Sequence, residues 1–171
     1  MRMQLLDRVK KNEKAYYNLL HYVRGYEKCR KGYFGTSNVC LFPNATVEES
    51  VHYTAQKVRE ITYCNVKLAM HLIIQFAPSE LVYLDHSKVL EIGYFISLYD
   101  MPECITFFAV HDHSEHLHLD MMIFPYSIYD GKAYHISKKS LYKIGMDIQK
   151  YLLKYVPQKN ISQIQPVYGR T

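Results

Sequence analysis

The sequence predicts an α+β fold, an antiparallel sheet with helices packed on it. Three observations point there. A chain of 171 residues with 49% apolar and 22% charged side chains is long enough for one domain with a real core. Two apolar runs, CITFFAV and HLHLDMMIF, are joined by the short polar stretch His111 to Glu115, as the arms of a hairpin would be. Several segments free of Pro carry apolar residues at helical spacing behind capping residues. Helices interspersed with a hairpin and one more strand describe a sheet with helices on one face.

In chain order, Val9 to about Arg24 lacks Pro and Gly, carries Tyr16, Tyr17 and Tyr22, and reads as a helix ending near Gly25. Residues 25 to 45 are loop-like, with Gly25, Gly32, Gly35 and Pro43. Thr46 with Glu49 forms a capping box that opens a helix through about Ile61, whose apolar face is Val47, Val51 and Val58. KLAMHLIIQF, residues 67–76, lies between Asn65 and Pro78, and its length and branched content predict a buried strand. Next is a helix from about Asp85 to Tyr99, with Val89, Ile92 and Ile96 on one side. The hairpin strands are 104–110 and 116–124; GKAYHI adds a short strand, and Ser137 or Ser140 caps a last helix with Leu141, Ile144, Ile148 and Leu152 inward. With no internal repeat, residues 1–155 read as one domain and 156–171 as an irregular tail.

Composition excludes several classes. Seventeen Tyr and seven Phe against seven Gly and six Pro exclude a disordered or collagen-like chain. No apolar run approaches the roughly 20 residues of a membrane span. The opening MRMQLLDRVKKNEK lacks the apolar core of a secretory signal. Four Cys, at positions 29, 40, 64 and 104, lie far apart without a C-x-x-C pair, so they read as thiols in a reducing cytoplasm. Charge is uneven. Residues 1–34 hold nine Lys or Arg against Asp7, Glu13 and Glu27, a local +6, whereas the rest sums to −1 from twelve bases and thirteen acids. A basic, Tyr-rich first fifth suits a polyanion, because cations meet phosphates while aromatic rings stack on bases.

The sharpest feature is a histidine cluster. Four of nine His, at positions 111, 113, 116 and 118, fall within eight residues beside Asp112, Glu115 and Asp120. Strand alternation points His118 and Asp120 to one face, about 7 Å apart along the strand, and Leu117 and Leu119 to the other. A turn at 112–115 brings His111 back beside His118. Two imidazoles and a carboxylate then converge, and burying them together costs several kcal/mol unless a cation compensates. His111, His118 and Asp120 are therefore expected to hold a divalent metal, with His113 or His116 as an outer ligand or supporting partner. Manganese, magnesium, iron and zinc all accept such donors. His52, His86 and His135 read as ordinary polar residues.

The stretch AVHDHSEHLHLDMMIF resembles the third motif of plasmid-mobilisation relaxases of the MobA/MobL type, in the HUH endonuclease superfamily. Upstream, MHLIIQFAPSE resembles the relaxase segment H-hydrophobic-hydrophobic-x-S-F-x-x-G-E, and LLHYVRGYEKC followed by NVC resembles the Y-I-x-x-x-E-K-T and N-C elements. DGKAYHI and the final helix resemble the family's region beyond the metal strand, so the similarity spans about residues 18–155 in family order. It implies a relaxase-like fold with a ferredoxin-like core. Position by position, Tyr22 matches the nucleophile, His111 and His118 the first two metal ligands, and Asp120 stands where a third His is expected. Gln75 replaces the usual Ser, Ser79 the Gly before Glu80, Cys29 the Thr after Lys28, and Phe124 the Asn ending the metal strand. A carboxylate at position 120 still binds a divalent ion but adds negative charge beside a phosphate.

The resemblance implies strand-specific DNA nicking and joining through a 5′-phosphotyrosine in plasmid or mobile-element transfer. It further implies a manganese or magnesium ion, single-stranded DNA at a transfer origin and accessory relaxosome proteins as partners, without a membrane. Tyr22 would be the nucleophile; with a phenol pKa near 10 it needs a base or nearby cation, and His21, His71 and Glu80 are candidates. Arg24, Lys28, Arg30 and Lys31 would meet phosphates. At this length the chain is the bare nuclease module or a fragment of one. Two alternatives stand beside this reading: a degenerate relaxase-like module that only binds single-stranded DNA, and an iron and 2-oxoglutarate oxygenase. The oxygenase needs a distant downstream His and an Arg inside a jelly roll; beyond Asp120 the sequence offers only His135 and Arg170.

Overall fold

The computed structural model describes residues 1–6, 13–25, 32–62, 69–112 and 117–169. Six strands form one sheet: β1 (Arg2–Leu6), β2 (Phe34–Ser37), β3 (Met70–Gln75), β4 (Cys104–His111), β5 (His118–Ser127) and β6 (Gln165–Gly169). Their order is β2-β4-β5-β3-β1-β6, antiparallel throughout except for the parallel pair of β1 and β6. The helices are α1 (Glu13–Arg24), α2 (Val47–Glu60), the short α3 (Pro78–Leu81), α4 (His86–Phe95) and α5 (Lys138–Leu152). The α+β architecture is the expected one. None of the described helices is long and apolar enough to cross a membrane, and a six-stranded sheet between helices is not a jelly roll.

Local signals explain most boundaries. Thr46 accepts from the Glu49 amide while the Glu49 carboxylate takes the Thr46 amide, the reciprocal bonds of a capping box. Asp85 caps α4 and Ser137 caps α5 by accepting from the Lys88 and Ser140 amides. Gly25, at φ +50°, ends α1 in the left-handed region that glycine enters without steric cost. The helix expected to reach Tyr99 becomes a π-helical turn at Ile96–Asp100. The register between β4 and β5 slips between Cys104 and Thr106, near Pro125 on β5, where a residue without an amide proton is tolerated.

Three expectations are corrected. Helices cover both faces of the sheet, not one: α1 and α2 pack with Ile105, Phe107, Ala109, Met122 and Phe124, while α4 and α5 pack on Leu72, Ile74, Phe108, Leu119 and Met121. Three strands stand beyond the expected ones: β1 lies in a segment notable for its charge, β2 is four residues with a glycine, and β6 holds Pro166 and Gly169 where an irregular tail was expected. GKAYHI makes only a single bridge, Tyr126 with Ala133. The starts of the first helix and of the 67–76 and 116–124 strands lie outside the described residues.

Candidate active site

Alternation along three neighbouring strands builds the site. Met70, Leu72 and Ile74 of β3 face α4 and α5, which turns His71 toward α1; Phe108 and Val110 of β4 turn His111 the same way; Leu119 and Met121 of β5 do so for His118 and Asp120. His111 and His118 are direct cross-strand partners, and Asp120 sits between Ala109 and Ile73. All four polar side chains are buried, with His71, His111 and Asp120 fully so and His118 at 7% exposure.

The donor atoms converge. Those of His111, His118 and Asp120 lie within 4.8 Å of one another. Asp120 Oδ2 stands 2.7 Å from His111 Nδ1 and 3.6 Å from His118 Nε2. Its other oxygen, Oδ1, lies 2.9 Å from His71 Nε2. His111 Nε2 lies 2.8 Å from the Val23 carbonyl, which can only accept, so that nitrogen carries a proton and Nδ1 is the ring atom that faces Asp120. A bare lone pair on Nδ1 would repel a carboxylate oxygen that close. A positive charge belongs in the gap, either a proton or a metal ion drawing both imidazoles and Oδ2 to itself, and a donor set of two nitrogens and one carboxylate oxygen fits a divalent cation. Burial pushes the Asp120 carboxyl up, but hydrogen bonding by His111, His118 and His71 outweighs it and holds the pKa well below the usual carboxylate range. The acid is therefore ionised at neutral pH.

Helix α1 lays Tyr22 across this cluster. Its ring meets His71 edge-on at 5.6 Å between centroids and His111 at 6.3 Å, and it keeps 38% exposure. Tyr16, six residues earlier on the same helix, is buried against Phe124 and His52, and burial with help from Tyr17 raises its pKa well above the ordinary tyrosine value. Tyr17 is half-exposed and stacks on His52 at 4.6 Å. Of these three tyrosines, position 22 is the one these ring contacts join to the imidazoles of His71 and His111. Tyr26 lies outside the described residues.

Other candidates fall elsewhere. Glu80 is fully buried, with Oε2 accepting from the Ala77 amide and Oε1 from the Ser162 amide and hydroxyl, and it pairs with the Met1 ammonium at 3.7 Å. Its carboxylate ties the first strand to the C-terminal segment. Arg24, expected on DNA, pairs Nε with Glu48 Oε1 at 2.8 Å and lies 3.8 Å over the Phe34 ring, joining α1, α2 and β2. Lys28, Arg30, Lys31, His113 and His116 lie outside the described residues. His86 pairs with Asp112 at 3.1 Å, and His135 is exposed, as polar residues of no special role would be. Burial pushes the Cys104 thiol up to about 12, so it is inert.

The histidine that sequence reasoning left out of the metal cluster is His71, named only as a candidate base. The available signal was parity: in MHLIIQ, His71 shares a face with Ile73 and Gln75, the side of the strand opposite Leu72 and Ile74.

No curated protein matches the chain. Among solved structures, the MobM relaxase domain (MOBV; Mob_Pre) bound to plasmid pMV158 oriT DNA, a manganese-bound crystal structure at pH 6.8, is similar in fold. The TM-score is 0.56 at 13% identity, over 96% of this chain and 90% of that one. A family model for the nuclease domain of MobA/VirD2-like relaxases matches residues 17–155, and the chain belongs to that family.

Proposed function

We propose that this relaxase domain is a metal-dependent, site- and strand-specific DNA nicking and joining enzyme of plasmid or mobile-element transfer, acting in the cytoplasm on single-stranded DNA at a transfer origin. One observation carries the reading: a partly exposed tyrosine on α1 lies edge-on over a buried cluster of two imidazoles and an ionised carboxylate. The MobM relaxase domain, similar in fold, was crystallised with manganese and oriT DNA, which supports the same partners here.

In this reading His111, His118 and Asp120 hold the cation, manganese or magnesium. When bound, it supplies positive charge against the non-bridging oxygens of the scissile phosphate. The chain's own residues do the rest. The Val23 carbonyl keeps the proton of His111 on Nε2 and so turns Nδ1 inward. The last turn of α1 sets the Tyr22 ring edge-on to His71 and His111, from where its hydroxyl would meet a strand lying over the cluster. The Tyr22 oxygen forms a bond to phosphorus, the bond from phosphorus to the 3′ oxygen breaks, the phenol gives up its proton and the leaving oxygen becomes a 3′-hydroxyl. The product is a 5′-phosphotyrosine, and attack by that hydroxyl reverses the reaction and rejoins the strand. Lys28, Arg30 and Lys31 supply charge for phosphates, and accessory relaxosome proteins are the further partners of this reading.

The test is an SDS-stable protein–DNA adduct. Full-length chain with Mn²⁺ and single-stranded oligonucleotides from the transfer origin of its own element is expected to form one, and Tyr22→Phe or chelation to abolish it. An adduct that persists in Tyr22→Phe removes position 22 from the chemistry. Bound metal and bound DNA without any adduct leave the second reading, a module that has kept DNA binding and lost cleavage, for which the carboxylate at position 120 in place of the family's histidine is the motivating departure.

A further inference from the structure

We propose that His71 is a positioning residue of the metal centre: its Nε2–H, held on Asp120 Oδ1, orients the carboxylate so that Oδ2 faces the cation between His111 and His118. The inference rests on reading the cluster as a metal site.

The division of labour between the two carboxylate oxygens carries it. Oδ2 faces the two imidazoles that would share the cation, at 2.7 Å from His111 Nδ1 and 3.6 Å from His118 Nε2. Oδ1 faces His71 Nε2 at 2.9 Å, and a carboxylate that ligates a cation is deprotonated and only accepts, so His71 donates there. The other nitrogen of that ring, Nδ1, is buried with no hydrogen-bond partner among the described residues. Nothing there competes to draw the proton to it, and the tautomer that presents Nε2–H is the one the surroundings select. A carboxylate turned by about one rotamer step would lose either this bond or the convergence of the three donor atoms. The backbone holds the distance, because β3 and β5 are hydrogen-bonded neighbours with Ile73 opposite Asp120 and His71 opposite Met122. Two buried residues diagonal on one face of an antiparallel pair have little room to drift apart.

His71 also touches the proposed nucleophile. The Tyr22 ring stands on it at 5.6 Å, near perpendicular at 78°. One imidazole therefore braces both the acid that holds the metal and the aromatic ring above it. Partners of metal ligands of this kind set affinity by restricting ligand orientation, typically by about 10- to 100-fold.

The experiment uses the full chain, stripped by chelation, with Mn²⁺ alone as the probe and calorimetry as the readout, so that no cleavage is required. His71→Leu keeps apolar volume and removes the donor; it should weaken Mn²⁺ binding by about 10- to 100-fold. His71→Gln restores an N–H donor of similar reach and should return affinity to within a few-fold of wild type, a rescue that a packing role alone would not produce. Equal affinity in wild type and His71→Leu, or a glutamine variant as weak as leucine, overturns the proposal while leaving the metal site intact. Wild-type protein that binds no Mn²⁺ overturns the metal reading itself. Should the leucine variant fail to fold in a metal-free melt, imidazole ¹⁵N spectra of wild type loaded with Zn²⁺ decide: His71 with Nε2 protonated and neither nitrogen ligated supports the role, and a ligated His71 nitrogen overturns it.

Discussion

The two faces of the sheet are cut from the same strands yet held by different physics. Leu119 and Asp120 are consecutive on β5 and both fully buried. Leu119 looks toward α4 and α5 into a field of aliphatic side chains, with Ile74 and Val110 beside it in the ladder. Asp120 looks toward α1 and finds three imidazoles. The first face is stabilised by buried apolar area and tight packing. The second gives up some of that stability to bury three imidazoles around one carboxylate, which is how a sheet carries a polar cluster without losing its core.

The largest expected effect separates these two neighbours. Asp120→Ala removes one of three donors and the acceptor of His71, and Mn²⁺ binding should fall by more than about 100-fold with adduct formation at background. Calorimetry and the SDS gel read it. Metal affinity that survives Asp120→Ala would mean the site lies elsewhere. Leu119→Ala tests the other face: the cavity should cost about 2–5 kcal/mol in urea unfolding, while the folded fraction binds Mn²⁺ as wild type does. A Leu119→Ala protein of normal stability but weakened metal binding would erase the contrast between the faces.

The polar face is the more legible of the two in the sequence. His111 and Asp120 are separated by nine positions, but a hairpin turning within 112–115 and strand alternation suffice to bring them together, and both arise from local pattern. Tyr22 stands apart from Tyr16, Tyr17 and Tyr26 in the sequence only by family resemblance; burial of Tyr16 is a tertiary fact that helical spacing does not carry. The partners of Arg24 and Glu80 escape the sequence for a related reason. A sequence shows their charge but not that Glu48, Phe34 and Ser162 absorb it. The strands β1, β2 and β6 escape a local reading because pairing partners, not intrinsic propensity, hold such short segments: β6 contains Pro166 yet runs parallel to β1 at the sheet edge.

The apolar face also depends on close approach. A Cβ added at Gly93 of α4 would sit 2.4 Å from Phe108 Cδ2, and one at Gly35 of β2 would sit 2.6 Å from Phe108 Cε2, so two glycines clasp that ring while Tyr94 meets it edge-on. Gly93→Ala must displace this clasped ring, and should cost about 1–3 kcal/mol despite alanine's better helix propensity. A variant as stable as wild type in denaturant melts would show that α4 rides more loosely on the sheet than the polar face's helix α1.

The smallest effect sharpens the comparison through a second buried acid. Asp100, ending the π-helical turn, pairs with Lys143 at 2.9 Å, and its Oδ2 has no hydrogen-bond partner among the described residues. Burial raises its pKa; Lys143 offsets only part, and Asp147 adds to the rise. Asp120 is buried more deeply and moves the opposite way, so the number of donors, not burial, decides the sign. A folded pKa above the unfolded value near 4 means the native state holds the proton more tightly. The contribution of Asp100 to stability is thus greatest below that value and falls as pH rises through the raised folded pKa. Asp100→Asn keeps an oxygen for Lys143 and removes the titration. Relative to wild type it should gain stability between acid and neutral pH, by under about 1 kcal/mol, in paired urea melts. A difference that runs the other way, with wild type gaining on the variant as pH rises, would mean Lys143 outweighs burial and that this face too can hold a settled charge.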